Sequence, residues 1–242
     1  EKFINLIKKK IIFLYVETEE LIEKLKIQYG IHSQTLFLPC SIKKRTLLKP
    51  KKDILNYNIG CLGGPRSNKG ISKIPQIIKE LRKILKHNKI DLNITFFVQI
   101  GNLKKRKKFS FLFKEFLSRY LSKKVQIKII YNTENYKDYI RLLKSVDIFL
   151  LPYSSASYKF TGSGFIIDGT MLNKPIVYSE GMAMQAFLNE GNALPAMYPA
   201  QFASALINVI KDYSFFERRS YQAAKLFEQH FNISKIFFNN LK

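Results

Sequence analysis

The 242-residue chain contains no tryptophan, two cysteines, three histidines, and 18 acidic residues against 41 basic ones. Each scarcity excludes something. Cys40 and Cys61 fit neither a metal-binding spacing nor a disulfide framework, so a reducing cytoplasmic setting is predicted. His32, His87 and His230 are scattered, each reading as a structural or surface residue, and no Asp-x-Asp pair accompanies them. No metal site and no cofactor are therefore expected. Apolar runs such as IIFLYV are about a third of the ~20 residues that cross a bilayer. Glu17, Glu19 and Glu20 follow that run where a leader would have small residues for cleavage. Neither a transmembrane helix nor a signal peptide is read. Repeats, heptads and low-complexity tracts are also missing.

Apolar and aromatic residues are abundant. The chain is 46% hydrophobic, with 20 Phe and 13 Tyr, which is ample for a packed core in one large domain or one domain plus a fragment of another. It opens at Glu1 inside a lysine-rich, helix-compatible segment, so the expectation is a piece of a longer protein. The formal charge is +23. Plentiful Lys, Ile, Asn and Phe without Trp is also the signature of an AT-rich coding sequence, and the excess still predicts attraction to phosphate donors, acidic lipid or nucleic acid. The runs KKK at 8–10 and KKRKK at 104–108 read as solvated faces.

Strand and helix patterns alternate. IIFLYVE (11–17) reads as a buried strand. Thr18 is placed to cap a helix rich in glutamate that ends at Gly30, and TLFLP (35–39) reads as a second strand. Residues 41–56 are polar and basic, a linker. Strand YNIGCLG (57–63) leads through a glycine turn to a helix from Ile71, with Ile74, Ile77, Ile78, Leu81 and Leu85 on a helical period. Strands follow at 91–100, KVQIKIIYN, DIFLLPY (147–153) and PIVYS. Helices are read over FSFLFKEFLSRYL, over NYKDYIRLLKSV with Tyr136, Tyr139, Ile140 and Leu143 inward, and over 163–172. The remainder is read as mostly helical. This order predicts an α/β fold with a doubly wound parallel sheet. The expected organisation is 1–40 as the end of one domain, 41–56 as linker, 57–215 as a Rossmann-like domain and 216–242 as C-terminal helices.

In such a sheet, ligands bind beyond the carboxyl ends of the strands. Two loops stand out there. In GGPRSNKG, Gly63 and Gly64 allow close backbone approach, and Arg66 and Lys69 put two cations at the start of a helix. The order matches neither a P-loop nor the G-x-G-x-x-G fingerprint. In TGSG, Thr161, Gly162, Ser163 and Gly164 set hydroxyls and backbone N–H groups at the next helix N-terminus. Asp168, one turn in, suits a sugar hydroxyl better than a phosphate. Read as structure alone, these are surface turns with ordinary cations and a solvent-facing Asp.

From about residue 10 to 215 the chain resembles retaining glycosyltransferases of the GT-B fold, family-four or "group 1" type. IGCLGGPRSNKGISKIPQIIKEL is similar to the opening strand, phosphate loop and helix of their C-terminal donor domain. VDIFLLPYSSASYKFTGSGFIIDGTMLNKPIV is similar to their strand, glycine loop, acidic helix and G-K-P-V strand. VETEELIEKLKIQYGIHSQTLFLPCSI resembles the end of their N-terminal acceptor domain. The resemblance implies that Arg66 and Lys69 hold a donor diphosphate. It implies that Gly162, Ser163 and Gly164 offer N–H groups to phosphate or sugar, and that Asp168 stands for the second Glu of the E-x7-E motif, which binds ribose. Phe160 replaces the first Glu, and Gly-Ser-Gly replaces Glu-Gly-Phe-Gly.

The implied activity is transfer of a hexose from a nucleoside diphosphate sugar to an acceptor hydroxyl, with retention and without a metal. The implied partners are a nucleotide-sugar donor and a glycan or lipid-linked acceptor, at a cytoplasmic site including the anionic inner membrane face. No catalytic residue is assigned, and no nucleic-acid partner is expected. A basic polyanion or nucleic-acid binder, a sugar-nucleotide epimerase, and an inactive relative of the same fold are the competing classes. No nucleic-acid recognition module supports the first, and no acid/base carboxylates are identified for the second.

Overall fold

The computed structural model describes residues 2–9, 11–37, 53–64, 66–100, 124–131 and 135–230, with Cys40, Ile42 and Lys51. The KKRKK run, the helix read over FSFLFKEFLSRYL and most of the expected linker lie outside these residues.

The first segment is small. Helix α1 (Lys2–Lys8) precedes strand β1 (Tyr15–Val16), helix α2 (Glu19–Tyr29) and strand β2 (Gln34–Thr35). The α2 ends follow from the sequence. Thr18 Oγ1 accepts the Leu21 N–H at 3.2 Å, and Gly30 closes the helix in the left-handed region at φ 61°. The strands differ from the reading of two apolar runs. β1 and β2 pair in parallel over two residues only, and Ile11 and Phe13 are exposed. A run of apolar residues extends as strand only as far as a partner is available to take its N–H and C=O groups.

The main sheet contains β3 (Asn56–Cys61), β4 (Asn93–Gln99), β5 (Val125–Ile130), β6 (Ile148–Leu151), β7 (Ile176–Ser179) and β8 (Ala193–Ala196). Its order is β5-β4-β3-β6-β7-β8, every pair parallel. The chain therefore winds outward from β3 to one edge, returns to the centre at β6, and winds to the other edge. β8 was not anticipated from the sequence. It contains Pro195, which cannot donate to a ladder, and it stands at an edge of the sheet.

Helices cover both faces. α3 (Ile74–His87) buries Ile74, Ile77, Ile78, Leu81 and Leu85 on one stripe, packed with α7 (Pro199–Lys211) over Ile59, Phe96, Leu150 and Val177. α4 (Tyr136–Ser145), the short α5 (Ser155–Tyr158), α6 (Gly164–Met171) and α8 (Tyr213–His230) are the other helices among the described residues. On the second face Leu143, Ile166, Ile167 and Phe227 pack against Phe149, Leu151 and Ile176. The alternation of Ile148 and Leu150 with Phe149 and Leu151 between the two cores is the period-2 signature of a strand buried on both sides. Each such fully buried side chain contributes roughly 1.5–3 kcal/mol. Tyr136, expected inward, is 52% exposed as the first residue of α4, while Leu143 two turns on is fully buried.

Candidate nucleotide-sugar site

The two loops singled out in the sequence leave the carboxyl ends of β3 and β6, the adjacent strands where the winding reverses. That switch point forms a crevice in doubly wound sheets. The loops are bound to one another. Ser154 N–H donates to the Asn68 carbonyl at 2.8 Å. Gly70, at φ 66°, lies so close to Pro152 that a Cβ would stand 1.8 Å from its carbonyl oxygen. Only glycine fits that contact.

Lys69 is the central group of the first loop. It ends a 3-10 turn, Ser67–Lys69, and is 7% exposed. Its ammonium lies 4.0 Å from the Tyr153 ring centroid, 5.1 Å from Tyr158 and 5.5 Å from Phe165. No ion pair to Lys69 forms among the described residues. Burial, and then the neighbouring Arg66 charge, push its pKa down from 10.5 to about 8. Arg66 is exposed just outside this aromatic cage. Gly63, at φ 113°, makes the cage possible: a Cβ there would meet the Phe165 ring at 2.8 Å and the Lys69 ammonium at 3.3 Å.

The loop glycines are fixed from a residue the sequence did not single out. Gln99, the last residue of β4, accepts the N–H groups of Gly63 at 2.9 Å and Gly64 at 3.2 Å on Oε1. The second loop is held by Glu17 of the first segment and by Met184 of the main domain, so the Gly162 and Ser163 N–H groups, expected to face phosphate or sugar, are already engaged. Gly162 N–H donates to Glu17 Oε2 at 3.2 Å, and Ser163 N–H points to Met184 Sδ at 2.9 Å. Thr161 is exposed, Ser163 is buried and Gly164 begins α6. Asp168 is 2% exposed, with Tyr139 Oη donating to Oδ2 at 2.7 Å and Cys40 Sγ 3.7 Å from Oδ1. The solvent-facing alternative for this carboxylate is therefore excluded. The structure thus gathers Gly63, Tyr153, Tyr158 and Phe165 around the Lys69 ammonium, with Gly64 held beside Gly63 by Gln99, while Asp168 lies on α6 within a buried polar group.

Tyr153, Tyr158, Gln99 and Glu17 were legible only as isolated residues, because each meets its partner across 35 residues or more in sequence. No group of three or more His, Cys, Asp or Glu able to hold a metal is assembled among the described residues. Among those residues no helix is long and apolar enough to cross a membrane.

No protein-family model matches the chain, and no curated protein matches it in sequence. Solved structures do match in fold. TarM is 14% identical, with a TM-score of 0.65 over 99% of this chain and 44% of its own. A glycosyltransferase from Rickettsia africae is 16% identical, with a TM-score of 0.65 over 99% of this chain and 64% of its own. HepE from Anabaena, solved in complex with UDP-glucose, is 14% identical, with a TM-score of 0.57 over 98% of this chain and 54% of its own. This chain thus spans about half the length of the structures it matches, and its fold is that of the GT-B glycosyltransferases.

Proposed function

We propose that this chain is the nucleotide-sugar-binding part of a glycosyltransferase that moves a hexose from a nucleoside diphosphate sugar to an acceptor hydroxyl, with retention at the anomeric carbon. The observation that carries this reading is the Lys69 ammonium, buried among Tyr153, Tyr158 and Phe165 with no carboxylate paired to it among the described residues. A buried charge is costly unless an opposite charge compensates it. A diphosphate entering the crevice between the two loops supplies that charge. The HepE structure, of the same fold, holds UDP-glucose.

In the transfer step the bond from the anomeric carbon to the diphosphate oxygen breaks and negative charge grows on the leaving group. Lys69 in its low-dielectric cage, Arg66 at the rim and the N-terminus of α6 stabilise that charge, a role the cations fill without a metal. Gly63 and Gly64 keep the loop backbone low over the phosphates. The Gly162–Gly164 turn borders the sugar, and Asp168 accepts from the ribose. The acceptor is a glycan or lipid-linked glycan. The basic surface docks the protein on anionic lipid at the cytoplasmic face, which equal sedimentation with anionic and neutral vesicles at low salt would rule out.

Thermal-shift titration with UDP-, GDP- and ADP-glucose tests the reading. One nucleotide should stabilise the parent selectively, and Lys69→Met should abolish that shift. If no nucleotide raises the melting temperature while heparin does, the protein is a polyanion binder instead.

A further inference from the structure

Glu17 belongs to the first segment, two residues before α2, yet its carboxylate is held by the glycine loop of the main domain. Oε2 accepts the Gly162 N–H at 3.2 Å, and the adjacent Thr18 hydroxyl donates to the Phe160 carbonyl at 3.1 Å. Residues 17 and 18 therefore clasp residues 160 and 162 with one bond in each direction. Glu20, one residue into α2, is used differently. Its Oε1 accepts the Gln185 N–H and its Oε2 the Met184 N–H, both at 3.1 Å. Glu20 commits both oxygens to backbone and is a structural tie. Glu17 commits one: its Oε1 accepts no hydrogen bond among the described residues, and the side chain is only half-buried.

The location of this carboxylate gives it a partner. Gly162 is three residues from Phe165, whose ring borders the Lys69 ammonium at 5.5 Å. Three residues of chain extend at most ~11 Å. Glu17 and the Lys69 ammonium thus contact the two ends of one short stretch, residues 162–165, against which a group attached to a diphosphate on Lys69 would lie. That group, in a nucleotide sugar, is a ring of hydroxyls, and an ionised carboxylate partly withdrawn from water is a strong acceptor for them.

We infer that Glu17 reads the hydroxyls of the transferred sugar. The Gly162 N–H fixes the carboxylate through Oε2, and Oε1 accepts from the sugar. Sugar specificity is then supplied by the first segment, while the phosphate grip is supplied by the main domain. This inference rests on the nucleotide-sugar reading above.

The test compares UDP-, GDP- and ADP-glucose with UDP, GDP and ADP on the parent, Glu17→Gln and Glu20→Gln, by calorimetry and melting temperature. Glu17→Gln keeps an acceptor oxygen for Gly162, so the fold is retained. It should bind the preferred glucose nucleotide about tenfold more weakly and the matching bare nucleotide within about twofold of the parent. Glu20→Gln should lower the melting temperature and leave the ratio of the two affinities at its parental value. Glu17→Gln losing both affinities equally, or neither, overturns the inference while the nucleotide-sugar reading stands. A parent that binds none of the six overturns both.

Discussion

The Tyr139 hydroxyl donates to Asp168 Oδ2 at 2.7 Å, joining α4 to α6 through a carboxylate that is 2% exposed. Cys40 lies on the other side, its thiol 3.7 Å from Oδ1 and pushed up to about 12, chiefly by burial. A hydrogen bond to a buried charge contributes about 1.5–3 kcal/mol. Tyr139→Phe should therefore lower stability by about that amount in urea unfolding. Asp168→Asn should weaken ribonucleotide binding more than binding of 2′,3′-dideoxy analogues. If it costs stability alone, Asp168 is an internal tie between α4, α6 and the segment around Cys40.

Lys69 makes stability and binding depend on pH in opposite senses. Its folded pKa is about 8 against 10.5 for the free side chain. Between those values the unfolded chain keeps a proton that the folded chain releases, so stability rises with pH. Below pH 8 the folded state carries the whole cost of the buried ammonium. The stability of the parent relative to Lys69→Met should thus climb from pH 8 to 10.5, read by denaturant titration. A bound diphosphate favours the ammonium, so nucleotide binding near pH 8 should take up a proton. Calorimetry in two buffers of different ionisation enthalpy measures that uptake, and its absence would remove Lys69 from the phosphate site.

Gly70 is the narrowest joint between the two loops. With φ 66° and a Cβ position 1.8 Å from the Pro152 carbonyl, alanine cannot be accommodated without moving backbone. Gly70→Ala should cost about 3 kcal/mol or more in equilibrium unfolding. Gly64→Ala, with nothing within 4 Å of its Cβ, should cost only the φ 76° penalty of about 1 kcal/mol.

Arg66 is exposed at the rim, so its removal should spare the fold. Arg66→Ala should leave the melting temperature within about 1 °C and weaken nucleoside diphosphate binding by about 1.5–3 kcal/mol, the range for a charge-assisted hydrogen bond. Unchanged affinity would place the phosphate elsewhere.

The parts of this molecule that are written locally were readable in the sequence. The caps of α2 at Thr18 and Gly30, the stripe of α3 and the apolar strands β3, β4 and β6 each depend on neighbours a few residues away. β8 was hidden because Ala, Leu, Pro and Ala carry no strand propensity, and only its edge position makes Pro195 acceptable. IIFLYVE read as a full strand because apolar character marks burial, whereas strand length is set by the two-residue partner at Gln34–Thr35. At the site, the glycines and cations were visible as turn and charge signals. The aromatic cage, the Gln99 grip and the Glu17 clasp were not, because no local pattern links position 69 to 153 or 17 to 162.

The central pairing of the sheet has a consequence for how the molecule is made. β3 meets β6 at Ile59 and Ile148, and β4 and β5, which come between them in sequence, are wound to one side first. Pairings so distant in sequence close slowly, since the intervening loop must be ordered before the contact is rewarded. A nascent chain that has emerged only to residue 147 already carries Gly63, Arg66 and Lys69, but none of the three rings that enclose the ammonium. At that stage Lys69 is an ordinary solvated lysine. The burial that chiefly depresses its pKa is complete only with the arrival of Tyr153, Tyr158 and Phe165, which makes the titration of this one amine a reporter of completed folding.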